Sequence, residues 1–308
     1  QLPATAGHKH PHANSAASAR RGAVRMRVLV AGSGGQLGRA LAATAPAGVT
    51  LITQPEADFD ICNAAQVADV VASAAPDLLI NAAAWTAVDK AEAEEAAALA
   101  VNATAVTHLA TAAAAAGARF VQVSTDYVFD GQACTPYAPN APPAPASAYG
   151  RTKLAGEVAA GTAHPAPLII RTAWVYAAAG NNFVRTMLRL MAERDEVRVV
   201  ADQIGTPTHA ASLARAIWAL HGHSGIFHWT DAGIASWYDF AVAIRDEALA
   251  LGMLSRAVPV IPIRTEDYPT PARRPACGVL DKSATWAITG PARHWRHELI
   301  DCLKEIRG

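Results

Sequence analysis

The sequence predicts an α/β protein, a doubly wound parallel sheet with a smaller α/β domain towards the C-terminus. Three observations lead there. Short aliphatic runs alternate with longer helical stretches through the first two thirds of the chain, the rhythm of strands joined by crossover helices. The first run, Val28-Leu29-Val30-Ala31, passes at once into a glycine-rich turn and then a helical segment. Tyr149 and Lys153 stand four residues apart on a predicted helix, downstream of a predicted strand that ends in Ser124-Thr125-Asp126.

The bulk numbers bound the class. A chain of 308 residues holds one large or two modest domains. Its 52% hydrophobic residues, many of them alanine, and 17% charged residues predict a globular protein. No apolar run is read as a membrane span. The 26 basic and 26 acidic residues cancel, so neither nucleic acid nor a membrane surface is expected as a partner. The cancellation conceals an asymmetry: residues 1–25 carry Lys9, Arg20, Arg21 and Arg25 and no acid, leaving 22 basic against 26 acidic residues elsewhere. Rich in Ala, His, Ser and Pro and without hydrophobic period, residues 1–25 read as a disordered extension. Cys62, Cys134, Cys277 and Cys302 have neither metal nor disulfide spacing, which predicts reduced thiols and a cytoplasmic protein.

The ordered chain is expected from residue 26. Strand 28–31 leads into Gly32-Ser33-Gly34-Gly35-Gln36-Leu37-Gly38 and a helix from Arg39. Strand, glycine turn and helix in this order form a Rossmann-like dinucleotide site. The glycines allow backbone to approach a pyrophosphate, which sits on the helix N-terminus. A second strand, residues 49–53, ends in Thr53-Gln54-Pro55. It carries neither the acid that would bind the NAD ribose nor the arginine that would suit NADP, which leaves that choice open. A helix over 63–75 with Asn63 as N-cap follows, then a strand over 77–81 ending in Asn81-Ala82-Ala83-Ala84, small residues beside which a flat cofactor fits.

Residues 86–116 read as one long alanine-rich helical region, with Glu92, Glu94 and Glu95 on its wet side. Strand 120–123 delivers Ser124-Thr125-Asp126-Tyr127 at its carboxyl end, where open α/β sheets place ligands. Five prolines in residues 135–145 make a loop, which feeds the Tyr149 helix and lets Thr125 and Tyr149 meet. A phenol one helical turn from an ammonium is a usable proton donor, the cation being expected to lower the tyrosine pKa. Beyond lie a strand at 168–170, a helix over 183–193, strands near 197–200 and 226–229 with a helix over 212–221 between them, and a closing helix over 295–306. Arg273 and Arg274, in a Pro-flanked loop, offer a clamp for a diphosphate. The expected organisation is a dinucleotide-binding domain over 26–175, joined by strands from 197–230, and a mostly substrate-binding domain over 176–308.

Glycine turn, Ser-Thr-Asp and Tyr-x-x-x-Lys in this order resemble the extended short-chain dehydrogenase/reductases. The likeness extends to Thr86-Ala87-Val88-Asp89-Lys90-Ala91-Glu92, Tyr149 to Glu157, Arg171 to Tyr176 and Asp202 to Thr208. Together these resemble the dTDP-4-dehydrorhamnose reductase family from about residue 26 to near the C-terminus. The resemblance implies reduction of the C4 keto group of dTDP-4-dehydro-6-deoxy-L-mannose to dTDP-L-rhamnose with NADPH, or with NADH. It assigns catalysis to Thr125, Tyr149 and Lys153. Cofactor binding falls to Gly32, Gly35, Gln36, Leu37, Gly38, Asp60, Ile61, Ala82, Ala83, Ala84, Tyr149 and Lys153. Substrate binding falls to Asp126, Tyr127, Trp174 and Arg274. A homodimer is compatible with it. Arg39-Ala40 replace the glutamate with which some members bind magnesium, so no metal is expected. Tyr127 stands where the related dehydratases carry glutamate, which argues against dehydration. The rivals are a reductase or epimerase of another nucleotide sugar, and a non-catalytic subunit such as the regulatory β subunit of methionine adenosyltransferase.

Overall fold

The structure, a computed structural model, describes residues 25–308. The disordered extension expected over residues 1–25 therefore falls, save for Arg25, outside the described residues. Six parallel strands form the central sheet: β1 (Met26–Ala31), β2 (Val49–Thr53), β3 (Leu78–Asn81), β4 (Arg119–Thr125), β5 (Leu168–Thr172) and, much later in the chain, β10 (Gly225–His228). Their order is β10-β5-β4-β3-β1-β2. The chain goes from β1 to β2 on one side and then returns to β3 on the other. The strand order thus reverses at β1, and the crevice above that point is where such sheets bind ligands.

Both faces of the sheet are covered because successive strand residues point oppositely. Leu29, Leu79, Phe120 and Ile169 pack against helices α2 (Ala64–Ala74) and α5 (Ala105–Ala115). Val28, Val30, Ile80, Val121 and Ile170 pack against α1 (Gln36–Ala43) and α8 (Ala210–Leu220). Asn63 caps α2 as expected, its side chain accepting from the Gln66 amide at 3.1 Å.

The long helical region expected over 86–116 is helical, in successive pieces: α3 (Val88–Ala93), α4 (Glu95–Leu99), a π-helical turn (Ala100–Thr104) and α5. Asn102 lies in the π-helical turn. Its side chain accepts from the Trp85 amide, donates to the Trp85 carbonyl and donates to Thr152 Oγ1 at 3.1 Å, and the widened turn brings that amide inward. Residues Glu95–Ala115 are long and apolar enough to pass the length test for a membrane span, contrary to the sequence expectation. Alanine supplies the hydropathy, and the inner face of the stretch, including Ala98, Val106 and Leu109, is buried in the fold. Glu92 is likewise not simply solvated, since its carboxylate accepts from the Ala148 amide at 2.8 Å.

Helix α6 (Ala148–Ala163) carries Tyr149 and Lys153. Ser147 caps it through the Gly150 amide, and two glycines seat it. A Cβ at Gly150 would collide with the Tyr127 carbonyl, and one at Gly156 with the Asn102 carbonyl.

The remaining elements form a second core. β6 (Val175–Tyr176) leads to α7 (Phe183–Glu193) and β7 (Val197–Val200), then β8 (Ile204–Gly205) and β9 (Thr208–His209). After β10 come β11 (Ala235–Ser236), α9 (Trp237–Ala250), β12 (Val260–Ile263), α10 (Ser283–Thr289) and α11 (Trp295–Arg307). Val184, Met187, Phe240, Ile244, Leu299 and Leu303 fill its interior. Within residues 197–230, β10 pairs with β5 in the central sheet and helix α8 covers one of its faces. Strand β7 pairs in parallel with β12 instead, because its alternate residues Val197 and Val199 are needed in the second core.

Replacing Gly156 by alanine is expected to destabilise the fold by about 1–3 kcal/mol, since the added methyl meets a backbone carbonyl that cannot yield. Urea unfolding of G156A against the parent protein checks this.

Candidate active site

The carboxyl ends of β1, β3, β4 and β5 open into one cleft of about 1980 Å³. That is larger than the roughly 300–1,000 Å³ of an ordinary ligand pocket, so it has room for two extended ligands. Every site residue expected from the sequence lines it except Gly38, which is buried under the turn, and Arg273, the other half of the expected clamp, which is exposed outside the cleft.

At one end lies the glycine turn. Gly32 adopts φ +77°, and a Cβ there would lie 2.6 Å from the Ala83 nitrogen; the turn therefore presses directly on the small residues after β3. Gly34 differs, because a Cβ there would meet nothing within 4 Å. Helix α1 starts at Gln36 with no side chain capping it, which leaves its first amides to a ligand. An open, side-chain-free rim facing uncapped helix amides fits a dinucleotide pyrophosphate. Asn81 orders the opposite wall, donating to Gln122 Oε1 at 2.8 Å and accepting from the Ala83 amide at 3.1 Å. Asp60 and Ile61 sit in the turn before α2, where Asp60 Oδ1 accepts from the Cys62 amide. Across the cleft, Asn182 donates to Gln36 Oε1 at 2.9 Å and joins the two halves of the molecule.

At the centre, Thr125 ends β4. Its hydroxyl donates to Asp126 Oδ1 at 2.9 Å and accepts from the Tyr127 amide at 3.2 Å. The Tyr149 ring stands edge-on to that of Tyr127, centroids 5.4 Å apart. Burial pushes the Tyr149 phenol well above its ordinary pKa, and the Thr125 hydroxyl pulls it only part of the way back. This corrects the expectation that Lys153 would lower it. Lys153 Nζ donates to the Val123 carbonyl at 2.7 Å, and burial lowers its own pKa to about 8, with the Glu157 charge opposing. Asp126, also buried, is raised to about 7 by loss of water, against hydrogen bonds from Thr125 and the local amides. The same burial raises Tyr127 to about 12.

At the other end, Trp174 takes φ +49° and stacks on Trp237 with centroids 3.6 Å apart. Arg274 donates to Asp89 Oδ2 at 2.7 Å, while its Nη1 is buried with no hydrogen-bond partner among the described residues. Trp237 and Asp89 escaped notice as site residues in the sequence. Asp89 stood in the Thr86–Glu92 motif, but its partner is 185 residues away; Trp237 had no local signal at all.

A parallel doubly wound sheet with a glycine turn after its first strand, and Thr125, Tyr149 and Lys153 beside that turn, is the architecture of the extended short-chain dehydrogenase/reductases. Within that class the chain belongs to the family described as RmlD substrate binding domain, whose model matches residues 26–307. It is 42% identical over 297 residues to a dTDP-4-dehydrorhamnose reductase of Burkholderia thailandensis, covering 91% of this chain and 99% of that one. The crystal structure of a Clostridium acetobutylicum dTDP-4-dehydrorhamnose reductase is 40% identical, with a TM-score of 0.86 over 92% of this chain and all of that one. One from Bacillus anthracis, in complex with NADP, is 36% identical with the same TM-score, covering 91% of this chain and 99% of that one.

Filling the open rim tests the dinucleotide fit. Gly34→Val is expected to fold normally yet weaken NADPH binding on the order of tenfold, a loss of about 1.4 kcal/mol. Calorimetric titration with NADPH, beside the melting temperature, checks both halves.

Proposed function

We propose that the chain is an NADPH-dependent oxidoreductase that reduces the C4 keto group of dTDP-4-dehydro-6-deoxy-L-mannose to give dTDP-L-rhamnose. The observation that carries this reading is the meeting of Thr125, Tyr149 and Lys153 at the centre of a cleft. A glycine turn forms one end of it, Asp126 and Tyr127 flank the centre, and Trp174 and Arg274 line the other end. Relatives named for this reaction, and NADP in one of them, support it. Gly32, Gly35, Gln36, Leu37 and Gly38 would hold the pyrophosphate, with Asp60 and Ile61 at the adenine and Ala82, Ala83 and Ala84 along the cofactor's flat face. The cofactor, when bound, supplies the hydride.

The protein's own part is to manage the proton and the charge. Tyr149 enters the reaction protonated, because burial holds its pKa high. An alkoxide forming at C4 is a stronger base than a phenolate, so the phenol gives up its proton to that oxygen. The Thr125 hydroxyl, which donates to Asp126 Oδ1 in this structure, would turn its one proton to the same oxygen as charge develops. The Lys153 ammonium, one helical turn from Tyr149, offsets the phenolate left behind and orients the nicotinamide ribose. Trp174, held by Trp237, walls the sugar. Arg274 presents its unpaired Nη1 to the diphosphate while Asp89 fixes its other amine.

This reading takes a dTDP-sugar as substrate and sets the enzyme in the cytoplasm; the free thiols at Cys62, Cys134, Cys277 and Cys302 support a reducing compartment. It includes a homodimer, for which exposed Leu99 and Val158 on adjoining helices are suited.

Wild-type protein is expected to consume NADPH when given the keto sugar. Tyr149→Phe should lose about 100-fold or more in kcat while keeping NADPH affinity. No turnover by a wild-type protein that binds NADPH would overturn the assignment. The pH dependence has a definite sign. Lys153 is charged below a pKa of about 8 and loses its proton above it, so kcat should fall as pH rises through that value. A kcat–pH profile from pH 6 to 10 checks this.

A further inference from the structure

One buried group at the edge of this cleft has no role in the mechanism above. Glu157 follows Lys153 by four residues on α6, hence on the same face, and is 5% exposed. Its carboxylate accepts from Arg171 Nε at 2.8 Å and from Nη2 at 2.6 Å, and also from Ser124 Oγ at 2.5 Å. Arg171 is 2% exposed. Its third nitrogen donates to the Pro139 carbonyl at 3.1 Å, in the loop that feeds α6, and its guanidinium lies over the Phe129 ring. Ser124 immediately precedes Thr125, and Arg171 immediately precedes Thr172 at the end of β5. A single carboxylate therefore ties together the Tyr149–Lys153 helix, the Thr125 strand end, the neighbouring strand end and the loop into the helix.

We propose that Glu157 is a positioning residue for the reaction: locked by Arg171 and Ser124, its carboxylate fixes the Lys153 ammonium and the Thr125 strand end relative to one another. The proposal rests on the roles given to Lys153 and Thr125 above. A merely structural ion pair needs only two partners, and two well-packed apolar side chains would serve as well. Here the arrangement is more specific. Both ties of Glu157 end beside residues of the cleft, and its negative charge is the one opposing the effect of burial on Lys153. The other groups around Lys153 do not substitute for it. Tyr149 shares its helix face and is neutral. Asp126 and Tyr127 stand at the end of β4, Arg171 on β5 is a cation, and Asn102, from the π-helical turn packed on α6, is uncharged.

The test is direct titration of Lys153, by 13C NMR of protein labelled at the lysine Cε, with Lys153→Met to assign the resonance. No substrate is needed. In Glu157→Gln the Lys153 midpoint is expected to fall by about one pH unit, because the charge that holds its proton is gone. In Glu157→Asp the midpoint should stay near the wild-type value while kcat falls on the order of tenfold, because the shorter side chain cannot span Ser124 and Arg171 together. An unmoved midpoint in Glu157→Gln overturns the proposal, as does full activity in Glu157→Asp. Should Glu157→Gln fail to fold around its unpaired guanidinium, the double variant E157Q/R171M removes both charges, and its midpoint must still lie below wild type. A wild-type protein inactive on the keto sugar would sink the reading of function and leave the titration to decide the role of Glu157 on its own.

Discussion

The site depends on the close seating of helix α6 against the turn at Tyr127 and the π-helical turn at Asn102. Gly150 and Gly156 let its backbone rest on the Tyr127 and Asn102 carbonyls, where any side chain would collide. With the helix at that distance, Lys153 reaches the Val123 carbonyl and Glu157 reaches Ser124. On the same face as Gly156, Thr152 accepts a hydrogen bond from Asn102, which lies in the π-helical turn. The helix interior thus trades propensity for position: glycine costs roughly 1 kcal/mol relative to alanine in a helix, and α6 spends it twice where the backbone must approach.

A buried ion pair then fixes what the glycines permit. Desolvating Glu157 and Arg171 cancels much of their attraction, so the pair adds little net stability. Removing one partner alone is another matter, since about 3–5 kcal/mol is lost when a charge is left unpaired in the interior. The energetics favour specificity over stability. Through these two side chains, four hydrogen bonds join α6, β4, β5 and the Pro139 loop.

Much of this was legible in the sequence because local pattern encodes it. Val28 to Ala31 and the following glycines carry strand, turn and helix in one stretch. Asn63 announces the start of α2. Thr125 and Tyr149 come together because a strand end and the next helix of a parallel sheet must share an edge. The features that escaped depend on distant partners. Alanines over 86–116 say helix, and nothing in them says that Asn102 will turn inward towards Trp85 and Thr152. Val197 to Val200 reads as a strand equally well for either sheet; its partner, β12, lies some sixty residues further on. Trp237 behind Trp174 and Asp89 behind Arg274 are long-range pairs of the same kind.

The proton inventory of the cleft follows from one cause. Burial disfavours every charged form, so it raises Tyr149 and Asp126 and lowers Lys153 together. Spacing alone suggested a phenol made acidic by its neighbouring ammonium, but position reverses the sign: the lysine is engaged with Val123, and loss of water dominates. For reduction this is the useful sign. A donor has to hold its proton until an oxygen more basic than itself appears, and a phenolate formed early would have nothing to give. The low dielectric that keeps the proton on Tyr149 also magnifies each charge that then develops. The Thr125 hydroxyl and the Lys153 ammonium consequently act most strongly at the moment of transfer, when the alkoxide and then the phenolate carry that charge.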